Sequence, residues 1–355
     1  MIMGFPCRMD ATTAAVMEES FDSLLERAQA VYRQHFPMEC CFERAVFFSW
    51  GCTIGDCQFC YMSNQPADKK PLETKRSRAS IFAEFLLAKK CGWDIGFFTG
   101  GIGVFTPDEI EFMLRVAHEI TCERIWLSIG PVPKSLLVRY QPYIRGIVGS
   151  TETVNPKLHA KVCPSKPLAP YERMFVDAAC LGLQKAMTFI VGLGETRDDV
   201  QILIDFIRKY RIDKIHVYGL IPVAGTLYEG ACIPTAEEQA WWIAQLRVAF
   251  PSLDIQCGIW SNRADRIPLL LKAGANSISK LQAVKLFGTE TAKEMVGRCE
   301  EAGRRFRGTL TALPEADWDA EVARLSIDDS LKVEVKRKLW VYLKGMRKQG
   351  NTSPL

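Results

Sequence analysis

In the stretch Ser49-Trp-Gly-Cys-Thr-Ile-Gly-Asp-Cys-Gln-Phe-Cys-Tyr-Met-Ser63, three cysteines lie within nine residues. The stretch follows an apolar run that predicts a strand, and one short loop can wrap three thiolates around a single iron–sulfur cube. Cys52, Cys57 and Cys60 are therefore candidate cluster ligands. The stretch supplies no fourth ligand, so one iron stays open if none comes from elsewhere. A structural zinc site is the alternative, but zinc needs four ligands, and no second CxxC pair exists in the chain.

The composition limits the class of protein. The chain has 355 residues, 48% of them hydrophobic, which is enough for a large α/β domain with a substantial core. A formal charge of +4 is too small to argue for a nucleic-acid partner. No stretch approaches the roughly eighteen apolar residues of a membrane span, and the start lacks the apolar core of a signal peptide. The chain has thirteen cysteines, an odd number, which argues against a framework of disulfides. The sequence therefore predicts a soluble, reduced, cytoplasmic protein without a membrane partner.

From residue 41 onward, strand and helix patterns alternate eight times. The predicted strands are 43–49, 94–99, 124–129, 145–150, 185–191, 214–220, 253–259 and 275–279. The predicted helices between and after them are 76–90, 107–120, 133–141, 169–182, 197–210, 235–249, 263–273 and 289–303. Eight such units over about 265 residues predict an α/β fold, a closed (β/α)8 TIM-type barrel. A doubly wound open sheet is the alternative, and in either fold the cysteine loop lies at the carboxyl ends of the strands.

Helical segments are predicted on both sides of the barrel. An N-terminal extension, 1–40, contains a helix at 12–36 with Thr12 and Thr13 as possible caps. The barrel takes 41–313, and 314–355 form a C-terminal helical tail. Between positions 331 and 348 the tail carries seven Lys or Arg against one Glu. This basic segment is either a solvated helix face or a docking surface for an acidic carrier domain.

The chain resembles the radical S-adenosylmethionine (radical SAM) superfamily in three features. These are the cysteine triple, the aromatic Phe59 just before the last cysteine, and the barrel pattern. The usual spacing there is CxxxCxxC, and this chain has CxxxxCxxC. The resemblance implies a [4Fe-4S] cluster whose open iron is chelated by the amino and carboxylate groups of S-adenosyl-L-methionine. One-electron cleavage of the sulfonium then yields a 5′-deoxyadenosyl radical that abstracts hydrogen from an unactivated carbon. The protein must place that carbon and exclude water.

Further matches to the superfamily lie at the ends of later strands. Thr99-Gly100-Gly101 resembles its Gly-Gly-Glu segment, whose backbone holds the methionine ammonium. The segment 188–195 resembles its GxIxGxxE stretch, which flanks adenine. The resemblance implies these cofactor-binding residues: Phe59, Thr99, Gly100, Gly101, Ser128, Glu152, Ile190, Gly192 and Leu220. Three of these positions have ordinary structural alternatives. The glycines after Thr99 can form a simple turn, Glu152 can be a surface residue of a loop, and Leu220 can be part of the core. No catalytic side chain is assigned, because radical abstraction needs no general base.

Within the superfamily, the segments 192–196, 273–278 and 303–310 resemble the biotin synthase branch. The segments 48–50, 57–63, 152–156, 162–167 and 225–230 are more similar to the two-protein lipoyl synthase found mainly in archaea. This resemblance implies a sulfurtransferase that inserts sulfur at C6 or C8 of a protein-bound octanoyl chain. The implied partners are an octanoylated carrier protein or lipoyl domain, a sister radical SAM protein, and an electron donor such as ferredoxin or flavodoxin.

Sulfur insertion needs a sulfur source, and a second cluster with about three more ligands would supply it. Cys40, Cys41 and Cys163 are the candidate ligands, although each is also a plausible buried thiol. Positions that hold inward cysteines in biotin synthase carry Trp126 and Ala186 here, which argues against biotin synthase activity. The alternatives are another radical SAM reaction, such as methylation or metallocofactor assembly, and an iron–sulfur scaffold without turnover.

Overall fold

Eight parallel strands form a closed barrel whose carboxyl ends meet at one rim. The computed structural model describes residues 19–64 and 70–350. The strands are β1 (Glu39–Phe47), β2 (Asp94–Thr99), β3 (Ile125–Ser128), β4 (Ile144–Glu152), β5 (Gln184–Val191), β6 (Lys214–Gly219), β7 (Asp254–Gly258) and β8 (Ser277–Ser279). Each strand pairs in parallel with the next, and β1 pairs with both β2 and β8, which closes the ring. The predicted barrel is confirmed, and the open sheet is wrong.

Helices surround the ring and continue beyond it. They are α1 (Phe21–His35), α2 (Arg78–Cys91), α3 (Pro107–Thr121), α4 (Lys134–Tyr140), α5 (Pro156–Val162), α6 (Leu168–Cys180), α7 (Asp199–Tyr210), α8 (Ala236–Ala249), α9 (Ile267–Lys272), α10 (Ala283–Leu286), α11 (Glu290–Glu301), α12 (Trp318–Ala323) and α13 (Asp329–Gly350). The main apolar core lies between the strands and this outer layer. No helix of the described residues is long and apolar enough to cross a bilayer.

Local sequence signals explain where several helices begin and end. Thr106 caps α3 and Thr235 caps α8, each in a capping box in which a glutamate three residues later bonds back to the cap. Gly92 ends α2 in the left-handed conformation (φ +67°), which glycine adopts at little cost. These signals place the corresponding predicted boundaries within a few residues of the observed ones.

The observed elements differ from the predicted ones in several places. Strand β1 begins at Glu39 rather than at 43, because its first residues pair with a short ninth strand, β9 (Arg305–Arg307). Helices α5 and α10 are short and follow loops, so periodicity does not reveal them. The predicted helix 263–273 divides, because Arg263 is non-helical and α9 begins at Ile267 with a proline in its first turn.

The flanking helices pack on the outside of the barrel. Helix α1 begins at Phe21 after the Ser20 cap and packs against α8, while the predicted caps Thr12 and Thr13 lie outside the described residues. Helix α13 packs against α2 through a buried apolar stripe. That stripe consists of Leu331, Val335, Leu339, Leu343 and Met346. Helices α1 and α13 thus both cover outer faces of the barrel.

An ionic layer fills the amino end of the barrel interior, opposite the cysteine loop. Lys214 Nζ lies 2.6 Å from Glu43 Oε1 and 2.6 Å from Asp254 Oδ2, and the Ser277 hydroxyl also donates to Glu43. Lys214 is buried, so burial acts to lower its pKa, but the two carboxylates outweigh burial and raise it. The lysine is thus held as a cation between two acids.

Replacing Lys214 should cost stability, because Lys214→Met leaves the buried Glu43 carboxylate and the partly exposed Asp254 carboxylate without a counter-charge. We expect the free energy of unfolding in urea to fall by about 3–5 kcal/mol. The matched control is Lys344→Met on the exposed face of α13, where a change within about 0.5 kcal/mol is expected. Equal stability of the two variants would show that the ionic layer does not stabilise the barrel.

Candidate active site at the barrel rim

The cysteine loop lies directly after β1, at the carboxyl rim. Cys52, Cys57 and Cys60 are all half-buried there. Backbone hydrogen bonds tie the loop to the ends of other barrel units: Thr53 N–H donates to Ile102 O over 3.0 Å, and Gln58 N–H donates to Val162 O over 2.9 Å. The loop is thus attached at both ends, which limits how far its three thiols can move apart.

Close backbone contact with the Gly100–Gly101 turn fixes the first half of the loop. A Cβ on Gly101 would lie 1.6 Å from the Gly51 carbonyl oxygen, and one on Gly100 would lie 2.3 Å from the Phe48 ring. Gly101 N–H donates to Ser49 Oγ over 3.0 Å. Both glycines are therefore required for steric reasons, in addition to the backbone role that the resemblance implies for them.

The loop sulfurs lie in different environments. Ile102 N–H donates to Cys52 Sγ over 3.3 Å. The Cys163 thiol donates a hydrogen bond to the Cys57 sulfur. This bond and the nearby Lys166 cation lower the pKa of Cys57, although burial acts to raise it. Burial raises the pKa of Cys60 to about 11. Two of the three sulfurs thus accept a hydrogen bond from a neighbouring residue.

The donor set of the loop is three thiols. In the described part of the chain, no three histidine, cysteine, aspartate or glutamate side chains are gathered closely enough to hold one metal ion. Three half-buried thiols on one loop are the ligands that a cube with one open iron requires.

The second-cluster candidates do not come together. Cys163 lies at the end of α5, beside Cys57. Cys40 and Cys41 lie at the amino end of β1, where Cys40 Sγ is 3.6 Å from Cys299 Sγ and Cys41 Sγ is 3.2 Å from Asp94 Oδ2. Since strands rise about 3.3 Å per residue, roughly 20 Å of strand separates Cys41 from the loop end of β1.

Glu152 is held in a polar group at the end of β4. Its carboxylate accepts from Lys166 Nζ over 3.2 Å and from Thr188 Oγ1 over 2.9 Å. Burial acts to lower the pKa of Lys166, but Glu152 and the neighbouring Tyr171 and thiols outweigh it and raise that pKa. Glu152 is thus a fixed carboxylate at the rim rather than a mobile surface residue.

Three of the predicted cofactor-binding residues share an apolar cluster behind the loop. Phe59, Ile190 and Leu220 pack there around Leu193, next to Cys57 and Cys163. Beside the cluster, the Glu195 carboxylate accepts N–H bonds from Gly192, Leu193 and Gly194, which ties the loop after β5 into a tight turn. Ser128 lies apart from this group and bonds Ser150 across β3 and β4, with an Oγ–Oγ distance of 3.3 Å.

Two further groups lie at the rim, of which the sequence indicated only His159, as the histidine expected nearest the site, without a catalytic role. Lys166 lies within a segment noted only for family likeness, and its pairing with Glu152 needs the tertiary structure. His159, a histidine close to the loop, is buried, and its two ring nitrogens lie 3.0 Å from the Thr153 carbonyl oxygen and 2.7 Å from that of Lys166. It therefore orders the loop around α5 and has no nitrogen free for a ligand.

Sequence comparison finds relatives over most of the chain, although no family model matches it. The uncharacterized protein MJ0597 of Methanocaldococcus jannaschii is 33% identical over 295 residues, 82% of this chain and 82% of that protein. A biotin synthase of Anaeromyxobacter sp. (strain Fw109-5) is 27% identical over 323 residues, 86% of this chain and 87% of that protein.

Solved structures share the fold. Methylornithine synthase (PylB) superimposes with a TM-score of 0.68 at 18% identity, covering 86% of this chain and 93% of that one. The FeFe-hydrogenase maturase HydG from Carboxydothermus hydrogenoformans gives a TM-score of 0.66 at 14% identity, covering 94% and 86%. At these identities the likeness shows the fold alone.

Adding one methyl group to Gly101 should displace the cysteine loop. Because its Cβ would overlap the Gly51 carbonyl, we expect Gly101→Ala to bind at most half as much iron as wild type after anaerobic reconstitution. Iron and sulfide analysis measures this. Gly297→Ala is the matched control, since its Cβ meets nothing within 4 Å, and wild-type iron content is expected there. Full iron content in Gly101→Ala would contradict the steric account.

Proposed function

The chain belongs to the radical SAM superfamily and is related to biotin synthase, and on that premise we propose that it inserts sulfur at C6 or C8 of a protein-bound octanoyl chain. A sister radical SAM protein would act on the other carbon. Superfamily membership implies a [4Fe-4S] cluster and S-adenosyl-L-methionine as cofactors. The observation that carries the proposal is the loop of three half-buried thiols packed against Gly100–Gly101 at the barrel rim.

Each part of the rim has a defined task in this proposal. Cys52, Cys57 and Cys60 would hold the cluster, which with S-adenosyl-L-methionine supplies a 5′-deoxyadenosyl radical for hydrogen abstraction. The Gly100–Gly101 backbone and the fixed Glu152 carboxylate would bind polar parts of the cofactor. The apolar cluster that contains Phe59, Ile190 and Leu220 would cover the adenine and exclude water. Thr99, Ser128 and Gly192 stay predicted cofactor contacts on neighbouring strand ends.

The barrel interior below the rim suits an alkyl chain. Its apolar lining consists of Phe97, Trp126, Val148, Ala186 and Tyr218, with Ala45 and Ile190 packed against them. Ala45 and Ile190 keep part of their surface exposed. An acyl chain entering there would bury its methylene groups, each worth about 0.8 kcal/mol. This lining supports a substrate with a long apolar segment.

The exposed face of α13 is the surface we assign to the octanoylated carrier protein or lipoyl domain. Seven basic residues lie along this helix, against one glutamate. They are Lys332, Lys336, Arg337, Lys338, Lys344, Arg347 and Lys348. A positive helix face favours encounter with an acidic carrier domain. A ferredoxin or flavodoxin as electron donor stays a separate proposal that the structure does not test.

A second candidate is a radical reaction without sulfur insertion, such as methylation or metallocofactor assembly. The observation in its favour is the cysteine placement: of Cys40, Cys41 and Cys163, only Cys163 lies near the rim. Iron analysis separates the candidates, because a resident sulfur-donating cluster raises the content from about four to about eight irons per chain.

An octanoylated peptide tests the proposed function. The reconstituted chain is incubated without oxygen with this peptide, S-adenosyl-L-methionine, a reductant and the sister protein. We expect 5′-deoxyadenosine to form and the peptide to gain the mass of sulfur, both measured by mass spectrometry.

Replacing the seven basic residues of α13 by glutamine should raise the KM for an octanoylated carrier domain and flatten the salt dependence of that KM.

Matched cysteine variants control this assay. Cys57→Ala should abolish both products, whereas Cys180→Ala, at an exposed thiol, should leave both unchanged. A methyl gain would support the second candidate. Absence of 5′-deoxyadenosine from the loaded wild-type chain would leave only the non-catalytic scaffold.

A further inference from the structure

A cavity of about 280 Å³ lies at the amino end of the barrel, opposite the cysteine loop. It is lined by the end of α1, the first half of β1, the starts of β2, β7 and β8, and the last residue of β9. Water takes about 30 Å³ per molecule in the liquid, so the space suits several waters or one small organic molecule. Asp94 and Arg307 line it and keep 46% and 49% of their side-chain surface exposed, which places this edge of the cavity at the protein surface.

Glu43 lines this cavity with a carboxylate oxygen that lacks a partner. Its Oε1 accepts from Lys214 Nζ and from the Ser277 hydroxyl, whereas its Oε2 has no hydrogen-bond partner in the described part of the chain. Only 4% of the residue is exposed. A Cβ on Gly96 would lie 2.8 Å from Oε2, so the glycine keeps space free beside this oxygen. Since an unpaired buried carboxylate oxygen is costly, a donor from a bound molecule would stabilise it.

The ion pairs around the cavity leave one negative charge uncompensated. Of the described residues that line it, four carry carboxylates: Glu39, Glu43, Asp94 and Asp254. The cations paired with these acids in the same part of the chain are Lys214, Arg305 and Arg307. Arg247 also reaches the lining, at Asn276, but it donates to amide and carbonyl oxygens rather than to a carboxylate. One further positive charge would therefore balance the acids.

The missing charge is felt most strongly at Glu43. Burial and the neighbouring Asp254 raise the pKa of Glu43, although Lys214 acts to lower it. The two acids share this one lysine, whose Nζ lies 2.6 Å from an oxygen of each. A second cation beside Glu43 would thus favour its ionised form.

The lining favours an organic cation over a metal ion. Among the described residues, no three histidine, cysteine, aspartate or glutamate side chains are close enough together to hold one metal ion. A primary ammonium instead carries three N–H donors that can reach acceptors one by one. Phe36 and Pro37 add an apolar wall, of which Phe36 is half-buried and Pro37 exposed. An alkyl group on the ammonium would bury surface against that wall.

An apolar layer separates this cavity from the cysteine loop. Ala45 lies two residues beyond Glu43 on β1, on the same face of the strand, and packs against the interior cluster that contains Phe97 and Tyr218. A molecule in the amino-end cavity would therefore not meet the loop, and its binding does not depend on the proposed function.

We propose that the amino-end cavity binds a small primary ammonium ion, whose N–H groups donate to Glu43 Oε2 and whose alkyl part contacts Phe36 and Pro37. Binding adds the one positive charge that the ion pairs lack. It also supplies the donor that the buried oxygen is missing.

Calorimetric titration with matched probes tests this proposal. The full, cluster-loaded chain is titrated without oxygen at pH 7.5 with n-butylammonium chloride, which is cationic at this pH, since alkylamines resemble lysine. Neutral n-butanol and potassium chloride are titrated in parallel. We expect one equivalent of n-butylammonium to bind and the other two probes to bind at least tenfold more weakly. Glu43→Gln should raise the dissociation constant of n-butylammonium about tenfold or more, because a charged hydrogen bond is lost.

A second variant and a control keep the test independent of the stability of the ion layer. Asp94→Asn changes the exposed edge of the cavity and leaves the Arg307 cation without this partner, so binding should weaken about threefold or more. Glu237→Gln, at an exposed glutamate of α8, should match wild type. If Glu43→Gln does not fold, as judged by circular dichroism, the comparison of Asp94→Asn with Glu237→Gln decides the question.

Three results would overturn the proposal. They are absence of n-butylammonium binding to the wild-type chain, equal binding of n-butanol or potassium, and wild-type affinity in a folded Glu43→Gln. Each is independent of 5′-deoxyadenosine formation and of the mass gained by the octanoylated peptide. Failure of the cavity proposal is therefore distinguishable from failure of the proposed function.

Discussion

The whole site depends on how closely two backbone segments approach, the Gly51 carbonyl in the cysteine loop and Gly101 after β2. No side chain fits between them, since a Cβ on Gly101 would lie 1.6 Å from that carbonyl oxygen. The hydrogen bonds from Gly101 N–H to Ser49 and from Ile102 N–H to Cys52 Sγ are made from the same turn. One contact therefore fixes the loop, orients the Cys52 sulfur and leaves backbone groups of the turn at the rim.

Much of this architecture could be predicted from the sequence, because its signals are local. Alternating strand and helix periods identify the barrel, and capping residues such as Thr106 and Thr235 locate helix starts. The cysteine spacing identifies the loop, and topology alone places it at the rim. Phe59, Ile190 and Leu220 are predicted cofactor-binding residues only through family likeness, and their packing into one apolar cluster was not predicted, since apolar residues at strand ends are otherwise indistinguishable from core.

The remainder could not be predicted, because it depends on contacts between residues far apart in sequence. The interactions of Lys280 with Tyr218 and of Glu152 with Thr188 leave no periodic pattern. The same holds for β9, three residues long, which becomes a strand only by pairing with Glu39 and its neighbours. The separation of Cys40 and Cys41 from Cys163 likewise follows from the length of β1 and not from any spacing.

The central claim is that three thiolates leave one iron open to the cofactor. Electron paramagnetic resonance of the reduced, cluster-loaded chain, with and without S-adenosyl-L-methionine, tests it most directly. The account predicts that the cofactor changes the cluster spectrum, in wild type and in Cys163→Ala alike. A wild-type spectrum unaffected by the cofactor, with a change appearing only once Cys163 is removed, would show that Cys163 is a fourth ligand and would contradict the account.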